Sequence, residues 1–182
     1  MTHIVAMAGS SAINSKSTDI IKLALQKLEG LTYSTKLLSV RDIPAEELIY
    51  GPEKDSPHLK HVVEQIERAS AVIIATPIYK ASYSGALKAF LDLLPQKALE
   101  GKVVLPLATG GSNRHLLAID YALKPVLFAL GATHVLSGLY ISNDQVERDK
   151  YCSLILDEEA LARFNDQVET LVNSLQKNVS HS

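Results

Sequence analysis

Cysteine occurs once, at Cys152, in a chain of 182 residues. A single thiol excludes a disulfide framework and any cysteine-based metal site, and it suits a reducing compartment. An excess of one charge is also lacking: 18 Lys and Arg stand against 20 Asp and Glu, for a net charge of −2. That balance gives no basic face for nucleic acid or an anionic membrane. No apolar run approaches the ~20 residues that span a bilayer. The N-terminus carries neither a basic-then-apolar signal pattern nor a lipidation motif, so a cytoplasmic protein is the expectation. Internal repeats, low-complexity tracts and interdomain linkers are missing too. What is present is ordinary globular composition, 47% hydrophobic and 21% charged, at a length suited to one domain with a sizeable core. That domain is expected over residues 1–176, with a frayed tail at 177–182.

Two periodicities alternate along the chain. Short apolar runs at 3–8, 32–38, 71–76, 102–109 and roughly 133–141 read as strands. Helical patterns lie at 18–29, 57–69, 85–94, 115–130 and 158–176. The run 71–76 shows no polar alternation, as expected of a strand covered on both faces in a parallel sheet. The run 32–38 is more polar and suits an edge. Five strands alternating with five helices imply an α/β fold, a doubly wound five-stranded parallel sheet with helices on both faces. Pro106 inside the fourth strand removes a ladder donor, so a bulge or an unpaired N–H position is expected there. With the flavodoxin-like order 2-1-3-4-5, winding reverses between strands one and three, and a ligand crevice opens at their carboxyl ends. Three loops converge there: 9–17, 77–84 and 110–114.

The first of these loops runs Ala8-Gly9-Ser10-Ser11-Ala12-Ile13-Asn14-Ser15-Lys16-Ser17-Thr18. Gly9 lets the chain turn sharply out of the strand. Ser10, Ser15, Ser17 and Thr18 then set hydroxyls around a helix N-terminus, whose free N–H groups and partial positive charge suit a phosphate. Lys16 is the only cation between Gly9 and Asp19. The Walker pattern fails, because the four residues after Gly9 are followed by Asn14 and the lysine comes one place late. The dinucleotide pattern fails because Gly9 stands alone. Spaced hydroxyls suit a mononucleotide phosphate; the plain alternative is that Ser17 or Thr18 is only an N-cap.

The second loop, Thr76-Pro77-Ile78-Tyr79-Lys80-Ala81-Ser82-Tyr83-Ser84-Gly85, offers flat faces at Tyr79 and Tyr83 and backbone amides to a ring edge. Packing is the alternative role for both tyrosines. The third loop, Thr109-Gly110-Gly111-Ser112-Asn113-Arg114-His115, lets backbone approach a ligand closely, although Gly-Gly also marks an ordinary turn. His115 has no second histidine or carboxylate at metal-ligand spacing, so no metal site is expected. No Gly-x-Ser-x-Gly elbow occurs, and strands one and three lack the acidic pocket of a phosphoacceptor domain. Phosphate donors and flat faces without acid–base groups point to a cofactor that brings its own chemistry.

Over "ATPIYKASYSGALK" (75–88) and "LEGKVVLPLATGGSNRHLLAIDYALKPVL" (99–127) the chain resembles the NAD(P)H-dependent FMN reductases of two-component alkanesulfonate monooxygenase systems. These belong to the flavodoxin-like NADPH-dependent FMN reductase superfamily. The loop at 9–18 and "DSPHLK" (55–60) also fit, and the likeness fades over 145–182. The resemblance implies FMN phosphate in the first loop, isoalloxazine between 77–83 and 109–112, and hydride transfer from NADPH or NADH to flavin N5. It implies no catalytic side chain. Many members carry arginine where this chain has Ala12, with Lys16 as the nearest substitute. Loose binding would suit an enzyme that releases reduced FMN to a monooxygenase.

The segment 115–130 is apolar nearly all round, which implies burial on several sides and, for an outer helix, subunit contact. Pro125 cannot donate to the carbonyl of Tyr121, so a kink or bulge is expected. Relatives carry an inserted tyrosine here at a subunit interface near the flavin; Tyr121 matches it, which makes it a candidate modulator of flavin release. A homodimer or homotetramer through 85–94 and 115–130 is the expected assembly. Two other functions fit the same residues: a quinone, azo or chromate reductase with bound FMN, or a flavodoxin-type electron carrier. Carriers are usually strongly acidic, unlike this chain. Lys80 and Arg114 are either contacts for the 2′-phosphate of NADPH or solvated surface charges.

Overall fold

The first apolar run forms strand β1 (His3–Ala8), every residue after His3 fully buried. The computed structural model describes residues 2–52, 55–151 and 153–179; Cys152 and positions 180–182 of the expected tail lie outside them. Strand β1 pairs in parallel with β2 (Ser34–Ser39) on one side and β3 (Ala71–Tyr79) on the other. Strand β4 (Ser82–Tyr83) folds back on the end of β3. Beyond β3 lies β5 (Val103–Gly110), again parallel. The fifth strand comes in two pieces, β6 (His134–Val135) and β7 (Leu139–Ser142), both parallel to β5. Counting the broken strand once and the hairpin with β3, the order is 2-1-3-4-5, the flavodoxin-like arrangement, with β2 at the edge.

The unbroken apolar runs are explained by coverage on both faces. From β3, Ala71, Ile73 and Ala75 join one layer while Val72 and Ile74 join the other. The first layer is closed by α1 (Lys16–Gly30) and α6 (Glu158–Val179), through Ile20, Ala24, Leu28, Phe164, Val168 and Leu171. The second is closed by α3 (Pro57–Arg68), α4 (Gly85–Asp92) and α5 (Lys124–Ala129), through Val62, Ile66, Leu87, Phe90 and Leu127. Each such large side chain contributes about 1.5–3 kcal/mol on burial. Helix α6 runs through Val179, so 177–179 continue it. No helix among the described residues is long and apolar enough to cross a membrane.

Pro106 accounts for the break in the fifth strand. The Val104 carbonyl accepts from Leu136 N–H at 2.9 Å, so Val104 directs its polar groups toward that strand. By the two-residue period, the Pro106 nitrogen points the same way. It has no proton to give, and pairing lapses there: β6 ends at Val135 and β7 resumes at Leu139. Gly138, at φ +89°, passes so close that a Cβ would lie 2.8 Å from the Pro106 carbonyl. The expected unpaired position is therefore met by an interruption of the neighbour.

The single helix expected over 115–130 is three segments: a 3₁₀ turn at Asn113–His115, a π-helical turn at Ile119–Leu123, and α5. Lys124 N–H reaches the Ile119 carbonyl, five residues back. The widening is the bulge that Pro125 demands. Two elements carried too weak a periodicity to be expected: a short helix α2 (Ala45–Tyr50) and an antiparallel hairpin of β8 (Val146–Arg148) with β9 (Leu154–Leu156).

Candidate functional site

The cleft is built on Gly9. Its N–H donates to the Ala75 carbonyl at 2.7 Å, and its own carbonyl accepts from the Ser84 hydroxyl. Ser84 is the N-cap of α4, accepting from Leu87 N–H at 3.0 Å. Its backbone N–H donates to Thr76 Oγ1 at 3.0 Å, and Thr76 in turn donates to the Pro77 carbonyl. Thr76 and Ser84 are buried. Buried polar groups are stabilising only when paired, and here the pairing locks the first loop to the second. Neither residue stood out as a site residue in the sequence.

Above this floor, Ser10, Ala12, Asn14, Ser15, Lys16, Pro77, Ile78, Tyr79, Thr109, Gly110, Gly111 and Asn143 line one cleft at the carboxyl ends of β1, β3 and β5. The three loops do converge. Asn143 comes from a fourth, after β7, which the same rule of strand ends would have pointed to; the break in that strand hid it. Several other candidates stand apart. Ser17 is buried beneath the loop, its hydroxyl 2.9 Å from that of Ser15. Thr18 lies half-buried in the first turn of α1. Lys80 occupies the turn between β3 and β4, exposed. Ser82 and Tyr83 form β4, and Tyr83 packs against the core layer of Met7 and Leu87. Ser112 follows the glycines, its carbonyl accepting from Tyr140 Oη at 2.6 Å.

The N-cap of α1 is Ser15, not Ser17 or Thr18, and its side chain caps nothing. The first-turn N–H groups of α1 thus keep their positive end toward the cleft without a side-chain partner. Ser10 Oγ accepts from Ala12 N–H at 3.2 Å and so shapes the loop. Lys16, the expected cation, is turned aside: its Nζ donates to the carbonyls of Asn143 at 2.8 Å and Val146 at 3.3 Å. The ammonium keeps its charge and still lines the cleft, but two of its three protons are committed, which leaves hydroxyls and helix N–H groups as the free donors at the head of α1. Lys80 and Ala81 hold φ of +49° and +65°. Positive φ at both central residues is the primed hairpin turn, which glycine or asparagine adopts more cheaply. The strain lies at the cleft's rim.

Tyr140 is 3% exposed, and burial pushes its phenol above the usual tyrosine range. Tyr83 is raised as well, again by burial first. A raised value means that the neutral phenol is favoured in the fold. Its contribution is complete below about pH 10 and fades as pH rises through the raised value. Tyr140→Phe should therefore flatten part of the fall in melting temperature above about pH 10, a change readable by thermal scans across alkaline buffers. A scan unchanged by the substitution would contradict the assignment.

A doubly wound parallel sheet, with an uncapped helix N-terminus and open aromatic and glycine loops at its switch point, defines a flavodoxin-like nucleotide-binding protein. Residues 2–146 match the profile of the NADPH-dependent FMN reductase family. The chain is 50% identical over 144 residues to an FMN reductase (NADPH) of Escherichia coli K12, covering 79% of this chain and 75% of that protein. It is 44% identical over 170 residues to an FMN reductase (NADPH) of Pseudomonas putida KT2440, covering 92% and 85%. Among solved structures, the apo form of an NADH:FMN oxidoreductase, EMOB, superposes with a TM-score of 0.85 at 36% identity over 96% of this chain and 90% of that one. The chain belongs to the NADPH-dependent FMN reductase family, and it is an oxidoreductase that uses FMN with NAD(P)H.

The cleft's own chemistry fits FMN. None of its lining residues is acidic, and the groups at its phosphate end are hydroxyls, helix N–H groups and the Lys16 ammonium. Ser10, Ser15 and the start of α1 would hold the phosphate. Pro77–Tyr79 and Thr109–Gly111 would flank the ring.

Proposed function

We propose that the protein reduces FMN as a diffusible substrate and passes the reduced flavin to a sulfonate monooxygenase. The observation that carries this reading is the commitment of Lys16 to the Asn143 and Val146 carbonyls. With two of the ammonium's protons committed, the phosphate rests chiefly on neutral donors, each worth about 1.5–3 kcal/mol toward a charged acceptor, and on no bidentate arginine among the lining residues, which makes binding loose enough for turnover of the flavin. The sulfonate partner is supported by the resemblance over 75–88 and 99–127. Bound FMN supplies the hydride-accepting centre. The chain's residues bind and orient: Ser10 and Ser15 at the phosphate, Thr109 to Gly111 at the ring edge, and exposed Tyr79 at the mouth, where a nicotinamide from NADPH or NADH can stack. Reduced nicotinamide nucleotides suit a cytoplasmic setting.

The same proposal includes a homo-oligomer, dimer or tetramer, through 85–94 and 115–130. Leu116, Leu117, Tyr121 and Phe128 are more than half exposed in the single chain, Tyr121 at 79%. Side chains of that size so open along one segment suit a subunit contact. Tyr121, on the π-helical turn, then faces the partner and tunes flavin release. Light scattering should give at least a dimer, and Tyr121→Ala should alter flavin retention and turnover. A monomer, or an unaltered variant, counts against this part.

Steady-state oxidation of NADPH and NADH with and without added FMN tests the central claim. Turnover should require added FMN. A protein that stays yellow and prefers quinones to free FMN would instead be a quinone, azo or chromate reductase. One that oxidises neither nucleotide would be an electron carrier.

A further inference from the structure

The cleft has a support that the family profile does not reach: α6 begins at Glu158, beyond the matched residues 2–146. From its second turn, Arg163 extends to the end of β7. One Nη donates to the Tyr140 carbonyl at 2.9 Å and the other to Gln145 Oε1 at 2.8 Å. The same Gln145 oxygen accepts from the backbone N–H and the hydroxyl of Ser142, each at 3.3 Å. Ser142 is buried and pairs with Gly110 across the β5–β7 ladder. Tyr140 carries the hydroxyl that holds the Ser112 carbonyl. One planar guanidinium fork, a geometry that lysine cannot reproduce, thus fixes both ends of the segment that contains Asn143 and pairs with the start of the Gly110–Ser112 loop. Lys16 also holds that segment, at the Asn143 carbonyl.

Stability is a poor reason for this arginine. Its Nε is buried without a hydrogen-bond partner, 3.6 Å from the Glu159 carboxylate. That i,i+4 ion pair is partly exposed and of small value, and the buried Nε lacks a hydrogen bond, so the guanidinium is not fully satisfied where it lies. The gain lies in geometry.

We propose that Arg163 is a positioning residue for the flavin: it fixes the segment from Tyr140 to Gln145 so that the glycine loop and Asn143 stand at the ring. The proposal rests on the FMN reading of the cleft. Arg163→Met should raise the FMN dissociation constant, followed by flavin fluorescence quenching, about tenfold. The KM for FMN should rise with it, while kcat and the KM for the nicotinamide nucleotide stay within about twofold. In flavin-free protein, hydrogen exchange should quicken in 110–114 and 139–146 and stay unchanged in β1 and β3. Gln145→Ala should reproduce the effect, and the double variant should be no worse than either single one. Gln145→Glu, which keeps the acceptor, should retain wild-type affinity.

A merely structural arginine would give a different pattern: exchange faster throughout the sheet, fewer active molecules, and both KM values unchanged. That pattern, or wild-type FMN affinity in Arg163→Met, overturns the proposal alone. Failure of the wild-type protein to bind FMN overturns the underlying reading and the proposal with it.

Discussion

Gly110→Ala is expected to lower stability by about 2 kcal/mol and FMN affinity more than tenfold, and Tyr140→Phe in the same chain is expected to restore much of the stability. Gly110 ends β5, with its backbone paired to Ser142 of β7. A Cβ there would stand 2.3 Å from Tyr140 Oη, 3.2 Å from Tyr140 Cζ and 3.4 Å from Ile78 Cβ. The hydroxyl cannot swing away without giving up its bond to the Ser112 carbonyl. Either the tyrosine moves and releases the glycine loop, or the end of β5 shifts and carries Thr109 with it. Removing the hydroxyl leaves Cζ as the nearest atom, a contact that a shift of a few tenths of an ångström relieves. Tyr140→Phe alone should cost about 1 kcal/mol for the lost hydrogen bond. The double variant should be more stable than Gly110→Ala by about 1 kcal/mol or more in denaturant titration. Were Tyr140→Phe to deepen the defect, the hydroxyl would not be the obstacle.

The fold was legible because it depends on patterns that act over a few residues. Apolar runs of β1, β3 and β5 lie between two helical layers and show no alternation, which marks them as interior strands, while their order followed from the flavodoxin-like winding. Pro106 and Pro125 announced irregularities, since a missing N–H must be accommodated somewhere; the one broke β7 from β6, the other widened a helical turn. Legibility ended where a role depends on a distant partner. Nothing local to Lys16 says that its ammonium will meet carbonyls more than a hundred positions away. Tyr140 reads as one more apolar strand residue until the fold brings its hydroxyl against Gly110 and onto the Ser112 carbonyl. Thr76 and Ser84 look like loop polar residues, and only the closure of β3 on α4 buries them against Gly9. Three of the four loops that line the cleft could be found from topology; the loop of Asn143 and the residues that hold the loops still could not.

Gly9→Ala should be the most damaging of the alanine substitutions at glycine on the β1 side, and Gly30→Ala should have the opposite sign. At Gly9 a Cβ would lie 3.0 Å from the Ala75 carbonyl oxygen and 3.0 Å from Leu87 Cβ. One of those atoms is backbone of the central strand and the other is a fully buried core residue, so neither is free to retreat. The hydrogen bonds of Gly9 to Ala75 and Ser84 prevent the loop itself from backing away. Overpacking of this kind costs about 1–3 kcal/mol, and the shift falls on Ser10, at the head of the phosphate loop. Loss of FMN binding should therefore accompany the loss of stability. Gly30, by contrast, is the last residue of α1; a Cβ added there meets nothing within 4 Å, and its φ is not left-handed. Alanine there lowers the entropy of the unfolded chain and favours the helix, a gain of about 0.5–1 kcal/mol. In a protein of this size that is a rise of roughly 2 °C in melting temperature, with FMN affinity unchanged. Equal melting temperatures for the two variants would mean that a Cβ at Gly9 is accommodated, and that strand β3 and Ser84 do not fix the position of the first loop.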